Sequence, residues 1–556
     1  EYEIPFVEGL KVSARYGRSM GHSRNNRLGT FYNLYEIIDR GGENQHIYEQ
    51  GTVGEARRFE NGNEIRKSNI TSLLEQFNGT ISYANDFGKH SVSALFSMER
   101  SESEAFQEDA AIDDPLQDSN GTFRTAFGES NVRDFTNEAG SLSYIGRLNY
   151  QYDDRYLFEF LYRTDASTKF APENYWGNFY SLSAGWILSR EDFFTADWVD
   201  FLKVRYSVGL LGKDDTKPWL WRQRYTYQYG NGIVLGGGGP VSVGVKAEAS
   251  PNRAATWSDD FKNNLGVDAR FLDNRLSSTI EVFYNEGTNI LLERIGNVPF
   301  TVGGTLAAEN FAEVNFYGYE IGVGWNDRIG EDFSYGIDAR FSWNDNKMKV
   351  GNFNEEDILK PWFAKPNEST DFGVYGYDYL GMFDDQAEID AYVEEYGIEQ
   401  VFGTPVDELE PGTLYYRDVR GEYLGDGEFG DPDGIIDEND QIKLADKEQN
   451  HYGFGTTLKF RWKDLSFNAV VAGSFGGWSE YSAKDDLNSN ISRNFSNLPK
   501  DWNDIYDPEL NPDGTMPNPA FGNINFARSQ FWEQSSFSMA VRNVTLEYRL
   551  PRTVSE

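Results

Sequence analysis

Residues 141–163 read Ser141-Leu142-Ser143-Tyr144-Ile145-Gly146-Arg147-Leu148-Asn149-Tyr150-Gln151-Tyr152, then Asp153-Asp154-Arg155, then Tyr156-Leu157-Phe158-Glu159-Phe160-Leu161-Tyr162-Arg163. In a β-strand successive side chains point to opposite faces. Leu142, Tyr144, Leu148, Tyr150 and Tyr152 therefore share one face, and Ser141, Ser143, Arg147, Asn149 and Gln151 the other. Tyr156, Phe158, Phe160 and Tyr162 repeat the division against Glu159 and Arg163. Only three polar residues separate the two runs, which predicts an antiparallel hairpin.

The same unit recurs outward from this stretch. Ile81–Tyr83 and Val92–Met98 flank one turn, and Leu182–Leu188 and Leu202–Leu210 a slightly longer one. Asp273-Asn274 joins a run ending at Phe271 to one starting at Leu276; Tyr317–Trp325 leads to Phe333–Trp343, and Tyr452–Trp462 to Leu465–Val471. With single runs at Leu10–Tyr16 and Phe537–Tyr548, the count is about fourteen strands. The connections between hairpins are long and polar: 17–70, 101–139, 213–260, 289–312, 347–449 and 477–535.

Short turns alternating with long loops are the habit of an outer-membrane barrel. Runs of ten to twelve residues suit a tilted strand crossing hydrocarbon. Aromatics gather at strand ends (Tyr150, Tyr152, Tyr156, Phe271, Trp343, Phe460, Trp462), as in an interfacial girdle, although a cross-strand ladder in a soluble sheet has the same pattern. The expected fold is all-β, a transmembrane antiparallel barrel of which these 556 residues supply a part, with further strands outside them to close it.

Composition agrees. Mean hydropathy is -0.61, yet 15% of residues are aromatic. No apolar run reaches the length of a membrane helix. Cysteine is absent, which removes disulfide and thiolate chemistry. A net charge of -38 argues against a nucleic-acid partner and is read as solvated loops. Glu1-Tyr2-Glu3-Ile4-Pro5 has neither the basic nor the apolar region of a signal peptide, so the expectation is an internal portion of a longer precursor.

Several stretches resemble the SusC/RagA-like branch of TonB-dependent transporters of Bacteroidetes. They are Pro251-Asn252-Arg253-Ala254-Ala255-Thr256-Trp257; Leu276–Tyr284 with Asn289-Ile290-Leu291-Leu292; Gly177–Trp186 before Glu191–Phe194; Pro411–Asp418 with Asp433–Asp437; and Val544–Pro551. The resemblance implies a barrel of about 22 strands around an N-terminal plug that is absent from these residues, in the outer membrane. It also implies active uptake of an oligosaccharide or oligopeptide, TonB acting through the plug, a SusD-like lid lipoprotein, and a dimer of transporter–lipoprotein pairs among the assemblies. A passive porin and a soluble all-β glycan-binding protein are the rival readings.

Candidate site residues fall in three groups. Lys11, Arg15, Arg147, Arg163, Lys203, Arg205, Arg270, Arg340, Lys459 and Arg461 share the polar strand faces with Glu159, Asp268, Glu281, Glu320 and Asp338, where they would meet a plug or simply solvate the wall. Trp219, Trp221, Tyr225, Tyr227 and Tyr229, and a second cluster of Tyr375, Tyr377, Tyr379 and Phe383, are candidate substrate rings, with loop packing as the alternative. Gly236–Gly239 reads as a flexible loop tip. Asp431, Asp433, Gly434, Asp437 and Asp440 follow the spacing of a calcium loop, with Phe429 at the first ligand position and Asp418 as its substitute; a self-bonded acidic turn fits as well. No cofactor is required. His22, His46, His90 and His451 lie far apart, so catalysis is not expected.

Overall fold

The computed structural model describes all residues except 38–52, 61, 117–118, 229–231, 233–241, 295–305, 489–499 and 551–556. Gly236–Gly239, Tyr229 and His46 lie outside the described residues. One antiparallel sheet holds fifteen strands in sequence order. They are β1 (Tyr2–Glu3), β2 (Leu10–Leu28), β3 (Glu64–Phe87), β4 (His90–Asp113), β5 (Ser130–Tyr152), β6 (Tyr156–Ser167), β7 (Trp176–Ile187) and β8 (Val199–Lys213). The order continues with β9 (Ser258–Phe271), β10 (Leu276–Leu292), β11 (Glu309–Ile329), β12 (Phe333–Val350), β13 (Tyr452–Trp462), β14 (Leu465–Phe475) and β15 (Ser538–Tyr548). β1 is a two-residue fragment, so fourteen long strands remain, each at a position the alternation predicts.

The turns are built from residues that tolerate the left-handed region. Asp153 and Asp154 have φ of 50° and 53°, the pair of positive angles a type I′ hairpin needs. Asp273 and Asn274 do the same between β9 and β10.

Several strands are longer than expected: β3 and β4 each run 24 residues and β5 runs 23. Their outer halves, such as Arg66-Lys67-Ser68-Asn69 against Glu108-Asp109-Ala110-Ala111, are largely polar. Polar side chains occupy both faces there, and several residues, among them Ile65, Ser68 and Asp109, are covered, so hydrophobic alternation does not persist and the strand is invisible to a periodicity argument.

The chain divides into two compact units. The first comprises Glu1–Tyr150, Phe160–Tyr180 and Asp214–Thr256. It contains β1 to β4, most of β5, and a two-stranded ribbon of Tyr225–Gln228 with Gly244–Ala247. The second comprises Gln151–Glu159, Ser181–Lys213 and Trp257–Glu556.

In the second unit the long connections are not merely solvated loops. Phe383, Ile389, Tyr392, Ile398, Val401, Leu409, Leu414, Tyr416, Ile436 and Ile524 form a buried cluster, and Leu487, Phe526 and Trp532 a smaller one. Helix α1 (Gln386–Tyr396) shows how sequence makes this core. Asp385 caps it by accepting from the Glu388 N–H at 3.0 Å, Gly397 ends it at φ 69°, and Ile389 and Tyr392 bury one face. Ile389, Tyr392, Val393 and Tyr396 recur at i, i+3, i+4 and i+7, the spacing of an amphipathic helix, which a search for strand alternation passes over. No helix among the described residues is long and apolar enough to cross a membrane.

Candidate functional site

Backbone register fixes which side chains share a face. In the second unit, Tyr206 pairs with Leu265, Leu265 with Val282, and Val282 with Tyr319. Ile337 pairs with Leu458, Leu458 with Ala469, and Ala469 with Val544. This apolar face is largely open: Val282 is 52% exposed, Val544 58% and Leu546 68%. A water-facing sheet has no reason to leave so many large apolar side chains uncovered.

Two aromatic bands cross it. At the outer end Tyr284, Tyr317, Trp343, Tyr319, Phe341, Tyr452 and Phe475 follow one another with ring centroids 5.0–6.4 Å apart. At the turn end lie Tyr152, Tyr156 and Trp186, with Trp462 and Phe333 paired further along. Tyr452 and Trp462 bound one strand of 11 residues. At about 3.3 Å per residue and a tilt of about 40°, ten steps span about 25 Å, the height of an outer-membrane apolar band.

The opposite face is polar, and register places Lys203, Arg205, Arg270, Arg340, Lys459 and Arg461 on it with Asp268, Glu281, Glu320 and Asp338. Arg205 donates to Glu281 at 2.7 Å and to Asp268 at 3.2 Å; Lys459 donates to Asp338 at 2.9 Å. Arg270 lies over the Phe201 ring at 4.7 Å, and Arg461 donates to the Lys463 carbonyl. Glu281, Glu320, Asp338, Arg340, Ser342 and Lys459 help line a concave space of about 940 Å³. In the first unit Arg163 donates to Asp165 at 2.6 Å and to Ser143 at 3.1 Å, and Arg147 stands on β5 at the same parity as Ser143. The bonds from Arg205, Lys459 and Arg163 to Glu281, Asp338 and Ser143 are interstrand tethers, those from Arg163 to Asp165 and Arg461 to Lys463 are local, and together they leave a charged, water-compatible wall.

The ring clusters are divided by the fold. Trp221 is 7% exposed, Trp219 lies 5.9 Å from it, and Arg222 and Arg253 cover the Trp221 ring. Tyr225 and Tyr227, on the neighbouring ribbon, are exposed. In the second unit Tyr377 packs on Phe402 at 4.6 Å and Tyr416 at 5.7 Å, Tyr379 packs on Phe531 at 5.3 Å, and Tyr375 packs on Phe372 at 5.9 Å. Phe383 is fully buried, and burial raises the Tyr377 and Tyr379 phenols. Tyr377, Tyr379 and Phe383 therefore help hold the loop core together, and Tyr375 packs beside Phe372 outside it.

The acidic loop also sorts itself. Asp431 and Asp433 are exposed, while Asp437 caps the short helix Glu438–Asp440 by accepting from Asn439 N–H at 2.7 Å. Asp418 and Asp440 are buried. Burial pushes the Asp440 carboxyl up to about 6 and raises that of Asp418. Among the described residues, no three or more His, Cys, Asp or Glu side chains stand ready-made as a metal site.

One cluster has no signal in the sequence. His451 is buried where β13 begins, with Nδ1 2.6 Å from the Asn344 carbonyl and Nε2 2.8 Å from Asp371. Asp371 also accepts from the backbone N–H of Glu448 and Gln449, and Lys447 bonds Asp345 at 2.8 Å and the Asp371 carbonyl at 2.9 Å. The partners lie some eighty to a hundred positions apart in sequence, so only the fold joins them.

No family model matches the chain. Curated relatives do. The TonB-dependent receptor P3 of Formosa agariphila is 22% identical over 99% of this chain and 50% of its own length. The TonB-dependent receptor SusC of Bacteroides thetaiotaomicron is 25% identical over 64% of the chain and 33% of its own length. The chain thus spans about half or less of the relatives it matches. They are named as receptors, not enzymes. Among solved structures, the RagAB peptide importer in its closed-closed state aligns with 99% of this chain and 55% of its own, at a TM-score of 0.71 and 17% identity. A second RagAB structure, the peptide transporter, gives 0.71 at 18% identity. The fold is that of an outer-membrane β-barrel wall, and the family this chain resembles over nearly its whole length is that of the SusC/RagA-like TonB-dependent receptors.

Proposed function

We propose that the protein containing this chain imports an oligosaccharide or oligopeptide across the outer membrane, driven by TonB through a plug carried elsewhere in the protein. One observation carries the reading: the register leaves an uncovered apolar face between two aromatic bands, backed by a charged one. The apolar face meets lipid. The charged face lines a lumen in which a plug can be held and released, because polar contacts exchange with water at little cost while an apolar joint does not. The folded loops stand at the mouth, where a SusD-like lipoprotein closes over the cargo, and Tyr225 and Tyr227 are the candidate rings left exposed to stack on it.

The test is native purification in detergent with identification of accompanying chains, followed by uptake in cells with and without TonB. A lid lipoprotein in the complex and TonB-dependent uptake are expected. Uptake that persists without TonB, by an unaccompanied barrel, would make this a passive porin. Uptake measured separately with peptide and with glycan mixtures selects the cargo class.

A further inference from the structure

A groove of about 480 Å³ lies on the apolar face of the second unit, at the outer aromatic band. Val282, Tyr284, Tyr317 and Trp343 form its apolar walls, and Asn315 and Lys347 complete its lining. Register sets these two further out on the same face. Tyr284 pairs with Tyr317 and Tyr317 with Asp345; two residues outward, Glu286 pairs with Asn315 and Asn315 with Lys347. Apolar along its length and polar at its outward rim, the groove has the polarity of an amphiphile, and its volume is that of a small-molecule site.

The rim is a set of donors. Lys347 is exposed and makes no ion pair with a described residue, and an ammonium has three donors and no acceptor. Asn315 is 4% exposed, and its Nδ2 donates to the Tyr284 hydroxyl at 2.5 Å, so the Tyr284 proton is left for another acceptor. The carboxylates on this face do not supply one. Asp345, between Trp343 and Lys347 on β12, accepts from Lys447 at 2.8 Å and from Ser369 at 2.6 Å, and Glu286 does not line the groove.

The long loops mark this end of the strands as the extracellular one, and Lys347 lies four residues beyond Trp343, on the headgroup side of the aromatic band. Resting on the reading that the apolar face meets lipid, we infer that the groove docks a phosphate-bearing lipid of the outer leaflet. One acyl chain lies along Val282 and the Tyr317 and Trp343 rings, while Lys347 and the Tyr284 hydroxyl meet the phosphate. Hydrocarbon alone would leave these donors to water. A phosphate brings both acceptor oxygens and the opposite charge, as basic residues at a membrane surface select anionic lipids.

The experiment titrates the complete, delipidated protein in detergent with dioleoyl phosphatidylglycerol or, with the same chains, dioleoyl phosphatidylcholine, and counts bound lipid by native mass spectrometry. Wild type should hold one phosphatidylglycerol about fivefold more tightly than phosphatidylcholine. Lys347→Gln should lose that preference, and Lys463→Gln, at the opposite aromatic band, should keep it; migration of unboiled samples on a denaturing gel checks that both variants are folded. Sodium phosphate should displace no more lipid than sodium chloride of equal ionic strength; greater displacement would make this a free-phosphate site and overturn the inference. A preference unchanged in Lys347→Gln, with both lipids bound, would overturn it while leaving the lipid-facing wall in place. Protein that binds neither lipid and stays monodisperse without detergent would remove the wall and the inference together.

Discussion

Asp371 gathers three donors at the root of the loop unit. Burial by itself would raise its carboxyl, but hydrogen bonds from the Glu448 and Gln449 N–H groups and from His451 outweigh that and hold it below the usual carboxylate range. The stability it contributes is therefore fully present above the unfolded carboxyl value of about 4, and is lost as the pH falls through the lowered folded value. Asp371→Asn keeps the shape and removes the charge. It should destabilise the loop unit by about 2–4 kcal/mol at neutral pH, with the deficit against wild type narrowing in acid, as read from limited proteolysis across pH. Tyr416 offers a smaller case. Its buried hydroxyl donates to the Ile524 carbonyl at 2.8 Å, so Tyr416→Phe should cost about 1–3 kcal/mol and speed cleavage of the same unit, while heat-induced unfolding of the barrel wall stays unchanged.

At the level of strands, the two faces of β10 invite opposite substitutions. Ile280 is 46% exposed on the apolar face and pairs with Val267 and Ile321; Thr279 is its neighbour on the polar face, donating to Asp268 at 3.2 Å. Ile280→Arg should destabilise the wall by about 2–4 kcal/mol. Thr279→Arg should stay within about 1 kcal/mol of wild type, in denaturant titrations of the protein refolded into lipid. Equal effects would mean that the two faces are not differently solvated.

This is also where the sequence could and could not be read. Strands bounded by two solvents announce themselves, because lipid on one side and water on the other force the alternation seen from Leu142 to Tyr152. Outside the apolar band the same strands continue as polar ribbon, and their lengths are hidden. The loop core is hidden for a different reason. Phe383, Leu414, Ile436 and Ile524 come from four separate segments and meet only after the backbone has folded. The acidic loop was half legible: its carboxylates could be named from spacing, but which of them are buried depends on packing that spacing does not encode.

For the molecule as a whole, the uncovered apolar face predicts that the folded protein stays monodisperse only with detergent or lipid, and that unboiled samples migrate differently from boiled ones on a denaturing gel. Monodisperse behaviour in plain buffer would place the apolar face against another sheet and remove the transport proposal with it.

The insertion between β12 and β13 begins and ends on strands that are hydrogen-bonded neighbours, with Trp343 opposite Tyr452. Its two ends therefore leave the wall side by side, and His451 and Asp371 pin that doorway shut. A module hung on one doorway still leans on its neighbour: Leu414 and Tyr416 bond Asn525 and Ile524 of the segment between β14 and β15, so exchanging this insertion for the corresponding piece of a relative asks for both segments to move together. If the proposed import holds, a change of cargo follows from transplanting that joint headpiece, with the apolar-faced strands left untouched.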